Sequence, residues 1–276
     1  MQIIKTIEEF QDWRNGVESG LQIGFTPTMG ALHEGHLAHI RSLRLDVDVV
    51  VASVYVNPSQ FAPGEDFEKY PRDLEGDGAK LRDAGCDILF YPTDLQMYPS
   101  GYSTYVSVEG ITSRYEGSFR PSHFRGVATI VCKLLNIVRP HVVTFGEKDA
   151  QQVAVIQRMV ADLNMSAKIR LIPTLREVDG LAMSSRNVYL SESERREALT
   201  INRALNRAKE LIAEGEDVAF VEAEMRAAIS PEFRLDYFDI IDPATFDSPA
   251  DQNAPLMAVF AGYIGTTRLI DNVRLR

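Results

Sequence analysis

The sequence predicts an α/β fold: a doubly wound, Rossmann-like parallel sheet followed by a smaller C-terminal α+β domain. Short apolar runs of strand character alternate with amphipathic stretches as far as Ile172, and parallel strands need such crossover helices. After Pro173 that rhythm stops, and two helical stretches precede three strands. The chain has 276 residues, a length at which one core commonly gives way to two. The change of rhythm predicts a boundary near residue 175, dividing the chain into 1–175 and 176–276.

In chain order, Thr6 and Glu9 have capping-box spacing, and Ile7, Phe10 and Val17 recur near helical spacing before Gly20. They predict a short helix packed at a sheet edge. Leu21–Phe25, Val47–Val56 and Asp87–Tyr91 read as strands, with helices over Glu34–Leu45 and Leu74–Ala84 between them. A helix over Gly126–Val138, a strand His141–Phe145, a helix Asp149–Leu163 and a strand Lys168–Ile172 continue the pattern. Ser191 and Glu194 cap a long polar helix to about Ala213, and a second helix follows. Arg234–Ile241, Leu256–Ala261 and Thr267–Ile270 read as strands, and Asp242–Asn253, with its prolines, as a loop.

With 45% hydrophobic and 25% charged residues, the composition is that of a folded globular protein and excludes a disordered or collagen-like chain. A formal charge of −10 opposes the phosphate backbone of a nucleic acid and an anionic membrane surface. No apolar run reaches the roughly 20 residues that span a bilayer. Met1–Trp13 lacks a basic stretch followed by an apolar one, so no secretory signal is expected. Two cysteines, Cys86 and Cys132, make no disulfide framework and point to a reducing cytoplasm.

Three segments gather chemistry. The first strand runs into Thr26–His36, where two glycines turn the chain into a helix at the carboxyl end of a strand, the place where α/β sheets bind ligands. His33 and His36 share a helical face, and the positive end of the helix favours an anion. His39 extends the series, but three-residue steps carry its ring partly around the helix and no thiolate or obvious partner carboxylate completes a zinc site. The second segment, Phe145–Gln152, again opens a helix after a strand. Gly146 allows close approach, Lys148 offers a point charge for phosphate, and Asp149 serves as a cap or binds a hydroxyl. The third, Met183–Asn187, carries hydroxyls and a guanidinium that suit phosphate, on a segment able to close over a ligand. Each alone has an ordinary explanation as a turn, a solvated charge or a polar linker. Together they argue for a nucleotide at the carboxyl edge of the sheet.

These residues closely resemble the pantoate–β-alanine ligase family of the HIGH-motif nucleotidyltransferases. Pro27–His36 is similar to its Pro-Thr-Met-Gly-Ala-Leu-His-x-Gly-His signature and Val56–Phe61 to its Val-Asn-Pro-x-Gln-Phe segment. Tyr70–Arg72, Arg120–Thr129, Gly146–Asp149 with Gln152, and Asp179–Asn187 complete the resemblance. It runs from about residue 20 to 190, with Ser122 standing where the family commonly has glycine.

The resemblance implies ATP-dependent joining of D-pantoate and β-alanine to pantothenate through pantoyl adenylate, releasing AMP and pyrophosphate. It assigns His33, His36, Lys148, Ser184, Ser185 and Arg186 to catalysis. ATP is then held by Met29, Gly30, Ala31, Leu32, His33, Glu34, Gly35 and His36, by Gly146, Glu147, Lys148 and Asp149, and by Leu175, Met183, Ser184, Ser185 and Arg186. Gln60 and Gln152 resemble the pantoate glutamines, with Asn57 and Arg120 in the same pocket. Mg²⁺ is expected on the phosphates, with no protein ligand assigned beyond a weak candidate in Asp77. The amides around Gly35 are further donors, Phe61–Tyr70 and residues 176–276 form a shield against water, and a cytoplasmic homodimer is implied.

Two other readings compete. A nucleotidyltransferase acting on a phosphorylated acceptor shares the histidines and the serine-arginine loop but does not call for Gln60, Gln152 or Arg120–Thr129. A nucleotide-binding regulator without turnover places fewer demands on His33, His36, Lys148 and Met183–Arg186.

Overall fold

The computed structural model describes residues 1–276 except 63, 66 and 251–253. Its first part is a six-stranded, all-parallel sheet in the order β1-β4-β3-β2-β5-β6, formed by Gln2–Ile4, Ile23–Thr28, Val49–Val54, Ile88–Phe90, Val142–Gly146 and Lys168–Ile172 for β1 to β6. The order runs outward one way from β2 through β3 to β4, then reverses from β2 to β5. The carboxyl ends of β2 and β5 are therefore the switch point, where helices on opposite faces diverge and leave a crevice.

Helices α1 (Ile7–Gly16), α2 (Glu34–Arg44), α3 (Leu74–Asp83), α4 (Asp94–Met97), α5 (Glu116–Phe119), α6 (His123–Val138) and α7 (Ala150–Asp162) surround the sheet. Strand period two decides which face each residue meets. On β3, Val50, Ala52 and Val54 join the cluster under α2 and α3, while Val51 joins the opposite cluster under α1, α6 and α7. The capping box of Thr6 and Glu9 forms as expected, and Phe10 of α1 meets Phe90 of β4 edge to face with 4.9 Å between centroids.

Helix α6 begins at His123, earlier than the expected Gly126, and Ser122 before it has φ −93° and ψ −11°. Any residue adopts that conformation, so the serine in place of glycine costs the backbone nothing. The sequence reading missed β1, α4 and α5, each of three or four residues and too short to display a period.

The C-terminal part carries α8 (Glu192–Glu214), capped by Ser191 and Glu194, then α9 (Val218–Ala228). Strands β7 (Arg234–Ile241), β8 (Met257–Ile264) and β9 (Thr267–Arg274) form an antiparallel sheet whose last two strands turn at Gly265 and Thr266. Residues 251–253 of the expected Asp242–Asn253 loop lie outside the described residues. Leu205, Val221, Phe238 and Phe260 belong to this part's own core. Ile241, Phe246, Met257 and Val259 instead join the core beneath the large sheet, so apolar packing seats the C-terminal sheet there. Among the described residues, no helix is long and apolar enough to cross a membrane.

Candidate active site

From β2 the chain turns through two consecutive left-handed residues, Gly30 (φ 86°) and Ala31 (φ 52°). A Cβ at Gly30 would stand 2.9 Å from Asp77 Oδ2, so the conformation and the space both call for glycine there. Asp77 of α3 is buried and accepts the amides of Ala31 at 2.9 Å and Leu32 at 2.8 Å. Lys80 closes the same turn by donating to the Leu32 carbonyl at 2.7 Å. The turn delivers His33 to the N-cap of α2.

The two histidines build the cap themselves. Gly35 N–H donates to His33 Nδ1 at 3.1 Å, and His33 N–H donates to His36 Nδ1 at 3.4 Å, imidazoles standing where a hydroxyl and a carboxylate usually do. Because each Nδ1 accepts a backbone N–H, these bonds assign the ring proton of both histidines to Nε2. The rings lie 4.1 Å apart between centroids. Burial and then the Lys148 charge lower the pKa of His33, while burial, His33 and His39 hold His36 well below the usual histidine range. The pair is neutral and presents two N–H donors. The amides around Gly35, expected as donors to a ligand, are occupied: Gly35 caps on His33, and His36 N–H donates to the His33 carbonyl at 2.9 Å.

Across the crevice, β5 ends at Gly146 and a short 3-10 turn, Glu147–Asp149, carries Lys148. Its Nζ stands 4.0 Å from Asp149 Oδ1. Asp149 sits at the N-cap of α7 but makes no side-chain cap bond, which leaves the carboxylate about half exposed at the crevice.

Gln60 hangs from a 3-10 turn, Pro58–Gln60, that Asn57 caps. Asn57 is fully engaged: its Nδ2 donates to Gln60 Oε1 at 3.0 Å and to the Gly126 carbonyl at 3.2 Å, and its Oδ1 accepts from Ser59 and Tyr98. Gln60 Nε2 reaches Met29 Sδ at 3.0 Å. Helix α6 abuts this turn so closely that a Cβ at Gly126 would fall 2.2 Å from the Ser59 carbonyl oxygen. Arg120 is held bidentately by Glu65 at 2.8 and 2.7 Å, and it donates to His123 Nε2 at 3.3 Å. Arginine only donates, so the His123 proton is on Nδ1, which donates to the Gln60 carbonyl at 3.0 Å. Burial and the adjacent Arg120 lower the His123 pKa to about 4. Gln152, on α7, lines the crevice.

These groups share one cavity of about 1330 Å³, bounded by the C-terminal strands and by Leu175, Met183, Ser184, Ser185 and Arg186. Met29, His33, Gly35, His36, Gly146, Lys148, Asp149, Asn57, Gln60, Arg120 and Gln152 all border it. Gly30, Ala31, Leu32, Glu34 and Glu147, expected at the nucleotide, do not. Gly30 and Ala31 shape the turn, Leu32 packs in the core, Glu34 is exposed with Arg41 at 2.7 Å, and Glu147 lies 3.6 Å from Arg274. Asp77, the metal-ligand candidate, is buried with both carboxylate oxygens accepting amides of the turn, and it does not border the cavity. Ser184 Oγ is partly committed, accepting Arg186 N–H at 3.2 Å as the cap of a 3-10 helix over Ser185–Tyr189. Phe61 and Tyr70 border the cavity, and Phe61 meets both Phe67 and Tyr70 edge to face, with 63 and 66 of that segment outside the described residues.

The sequence reading missed Asn272 and Arg268, both on β9 and bordering the cavity. Asn272 lies more than a hundred residues from the Lys148 turn it touches, and Arg268 as far from Glu116, so neither leaves a local signal. His39 borders it too, its Nδ1 buried without a partner among the described residues and its pKa lowered by burial to about 4.

The family model for pantoate-beta-alanine ligase matches residues 2–274. A pantothenate synthetase of Thermodesulfovibrio yellowstonii is 52% identical over 258 residues, 92% of each chain. The crystal structure of a pantothenate synthetase from Thermus thermophilus superposes with a TM-score of 0.95 at 46% identity, covering 100% of this chain and 99% of that one. A pantoate-beta-alanine ligase from Francisella tularensis, solved with beta-gamma ATP and beta-alanine, gives a TM-score of 0.84 at 33% identity over 100% and 98%. The agreement extends through the C-terminal sheet, well beyond the motifs around the crevice, and the chain belongs to the pantoate-beta-alanine ligase family.

Proposed function

We propose that the protein joins D-pantoate to β-alanine in two steps within this cavity. A pantoate carboxylate oxygen attacks the α-phosphorus of ATP, an O–P bond forms, the bridging bond to the β-phosphate breaks, and pyrophosphate leaves. The β-alanine amine then attacks the acyl carbon of pantoyl adenylate, the C–O bond to AMP breaks, and the amine gives up a proton as the amide forms. The observation that carries this reading is the junction at the β2/β5 switch point of two neutral Nε2–H donors with the Lys148 ammonium, facing Gln60 and Gln152.

Negative charge grows on the α-phosphoryl oxygens as the carboxylate attacks. Donors fixed beforehand favour that state over the ground state, and His33 and His36 are fixed by their own cap bonds. Their lowered pKa makes them hydrogen-bond donors rather than acids, so stabilisation without net proton transfer is the role supported. Gln60, steadied by Asn57, and Gln152 offer amides to the hydroxyls and carboxylate of pantoate. Arg120 acts on the pocket indirectly, tying Glu65 and His123 to the Gln60 turn. Ser184, Ser185 and Arg186 serve the triphosphate, and residues 176–276 act as the lid that keeps water from the adenylate.

The residues fit a Mg²⁺ ion carried by the nucleotide rather than a protein cage. Among the described residues no group of three or more His, Cys, Asp or Glu side chains could hold a metal, and Asp149 is the carboxylate open to the cavity beside Lys148. When bound, the ion neutralises phosphate charge. The resemblance extends the proposal to a homodimer, checked by sedimentation, and the cysteine usage extends it to the cytoplasm.

The test is pyrophosphate release from ATP and Mg²⁺ with D-pantoate, with and without β-alanine, with products identified by mass. AMP and pantothenate are expected. Release with a phosphorylated acceptor instead of pantoate would replace this reading.

A further inference from the structure

Strand β9 places two buried polar residues side by side, Asp271 and Asn272, at 5% and 7% exposure. Neighbours on a strand point to opposite faces, so one dipeptide reaches in two directions. Asn272 directs both amide hydrogens at one turn, donating to the carbonyls of Glu147 at 2.9 Å and Lys148 at 2.8 Å. Asp271 accepts the Arg176 guanidinium bidentately at 2.7 and 3.0 Å. Arg176 in turn pairs across a bridge with Ala182 and donates to the Gly180 carbonyl at 3.2 Å, holding the strand-like arm from which Met183–Arg186 extends. Met183 N–H closes that arm on the Leu175 carbonyl at 2.9 Å.

From this geometry we infer that Asp271 and Asn272 are positioning residues that fix the Lys148 turn and the Ser184–Arg186 loop relative to each other. The inference rests on the proposed role of both loops at the triphosphate. The two loops come from different parts of the chain, and β9, clamped along its length by β8, is the rigid element that touches both. Neither side chain needs to meet the nucleotide. Asn272 acts through the Lys148 backbone and Asp271 through Arg176. An apolar residue at 272 would take a side-chain donor from each of the two carbonyls, and a carboxylate there would repel them.

The test is a set of double-mutant cycles on full-length protein, read as kcat/KM for ATP in pyrophosphate release. Asn272→Ala lowers it about 10- to 100-fold, the order expected when a reacting group is displaced by about an ångström. In a Lys148→Ala background the same substitution has an effect under about 3-fold, because the group it positions is gone. Asp271→Asn behaves likewise toward Arg186→Ala and remains multiplicative with Lys148→Ala. Asn272→Ser, which keeps one donor, recovers part of the loss, and its melting curve checks that the fold is intact. Equal fold-losses for Asn272→Ala with and without Lys148 would overturn the inference and leave the ATP reading standing. An unchanged kcat/KM in Lys148→Ala alone would overturn the ATP role of Lys148 and the inference with it.

Discussion

His33 and His36 are held by backbone bonds to Nδ1 and have little freedom to ionise. Replacing His36 by alanine removes a fixed donor. A loss of about 10²- to 10³-fold in the adenylation rate is expected, the order seen when one preorganised donor is deleted. His36→Ala at full rate in pyrophosphate release would remove the imidazole from the mechanism. Burial sets the pH response as well, since His39 and His123 titrate near 4 in the folded chain and at the ordinary value near 6.5 when unfolded. Their folded pKa is depressed, so the stability tied to the neutral rings is present above about pH 6.5 and lost as the pH falls toward 4, at up to about 3 kcal/mol for each ring. Protonation of His123 also removes the acceptor for Arg120 beside the Gln60 turn. Melting curves between pH 7 and 4.5 should show the fall, and His39→Gln should flatten it. His33, His36 and Lys148 were legible in the sequence because each follows a strand by a few residues and a glycine turn. The engaged state of Asn57 and Arg120 was not, because their partners Gly126, Tyr98 and Glu65 are brought in by the fold.

At the scale of elements, α6 packs closely on the Asn57–Gln60 turn, where Gly126 leaves no room for a Cβ against the Ser59 carbonyl. Gly126→Ala must push backbone from backbone, so it should cost on the order of 3 kcal/mol and raise the KM for pantoate more than that for ATP. A urea titration and two KM values check this, and an ATP-side effect alone would contradict it. The long elements could be read because their periods and caps are local: Thr6 with Glu9 and Ser191 with Glu194 form the capping boxes that their spacing announces. Strand β1 escaped because a three-residue edge strand has no period of its own and is fixed by pairing with β4. The sheet order places the two motif loops together, whereas the contacts of β9 depend on how the C-terminal sheet packs.

Over the whole molecule, a buried charge network joins the two parts of the chain. Arg268 of β9 donates to Glu116 of α5 at 2.8 and 2.6 Å and to Asp236 of β7 at 2.8 Å, and Tyr237 donates to Glu116 at 2.9 Å. Arg268→Ala takes the bidentate partner from the buried Glu116, leaving it Tyr237 and Arg120 at 3.9 Å, and takes the guanidinium from the half-buried Asp236, so about 3 kcal/mol of stability should be lost. The exposed pair of Arg41 and Glu34 should change stability far less when Arg41 is replaced by alanine. Denaturant unfolding of both variants compares them directly, and equal effects would contradict the burial argument.

The central claim is that the carboxylate of pantoate attacks the α-phosphorus of ATP. It is tested most directly with D-pantoate labelled with ¹⁸O in its carboxylate, in a complete reaction with ATP, Mg²⁺ and β-alanine, by mass analysis of the nucleotide product. An acyl adenylate transfers one labelled oxygen to the phosphate of AMP. Unlabelled AMP, or label in released orthophosphate beside ADP, would contradict the account.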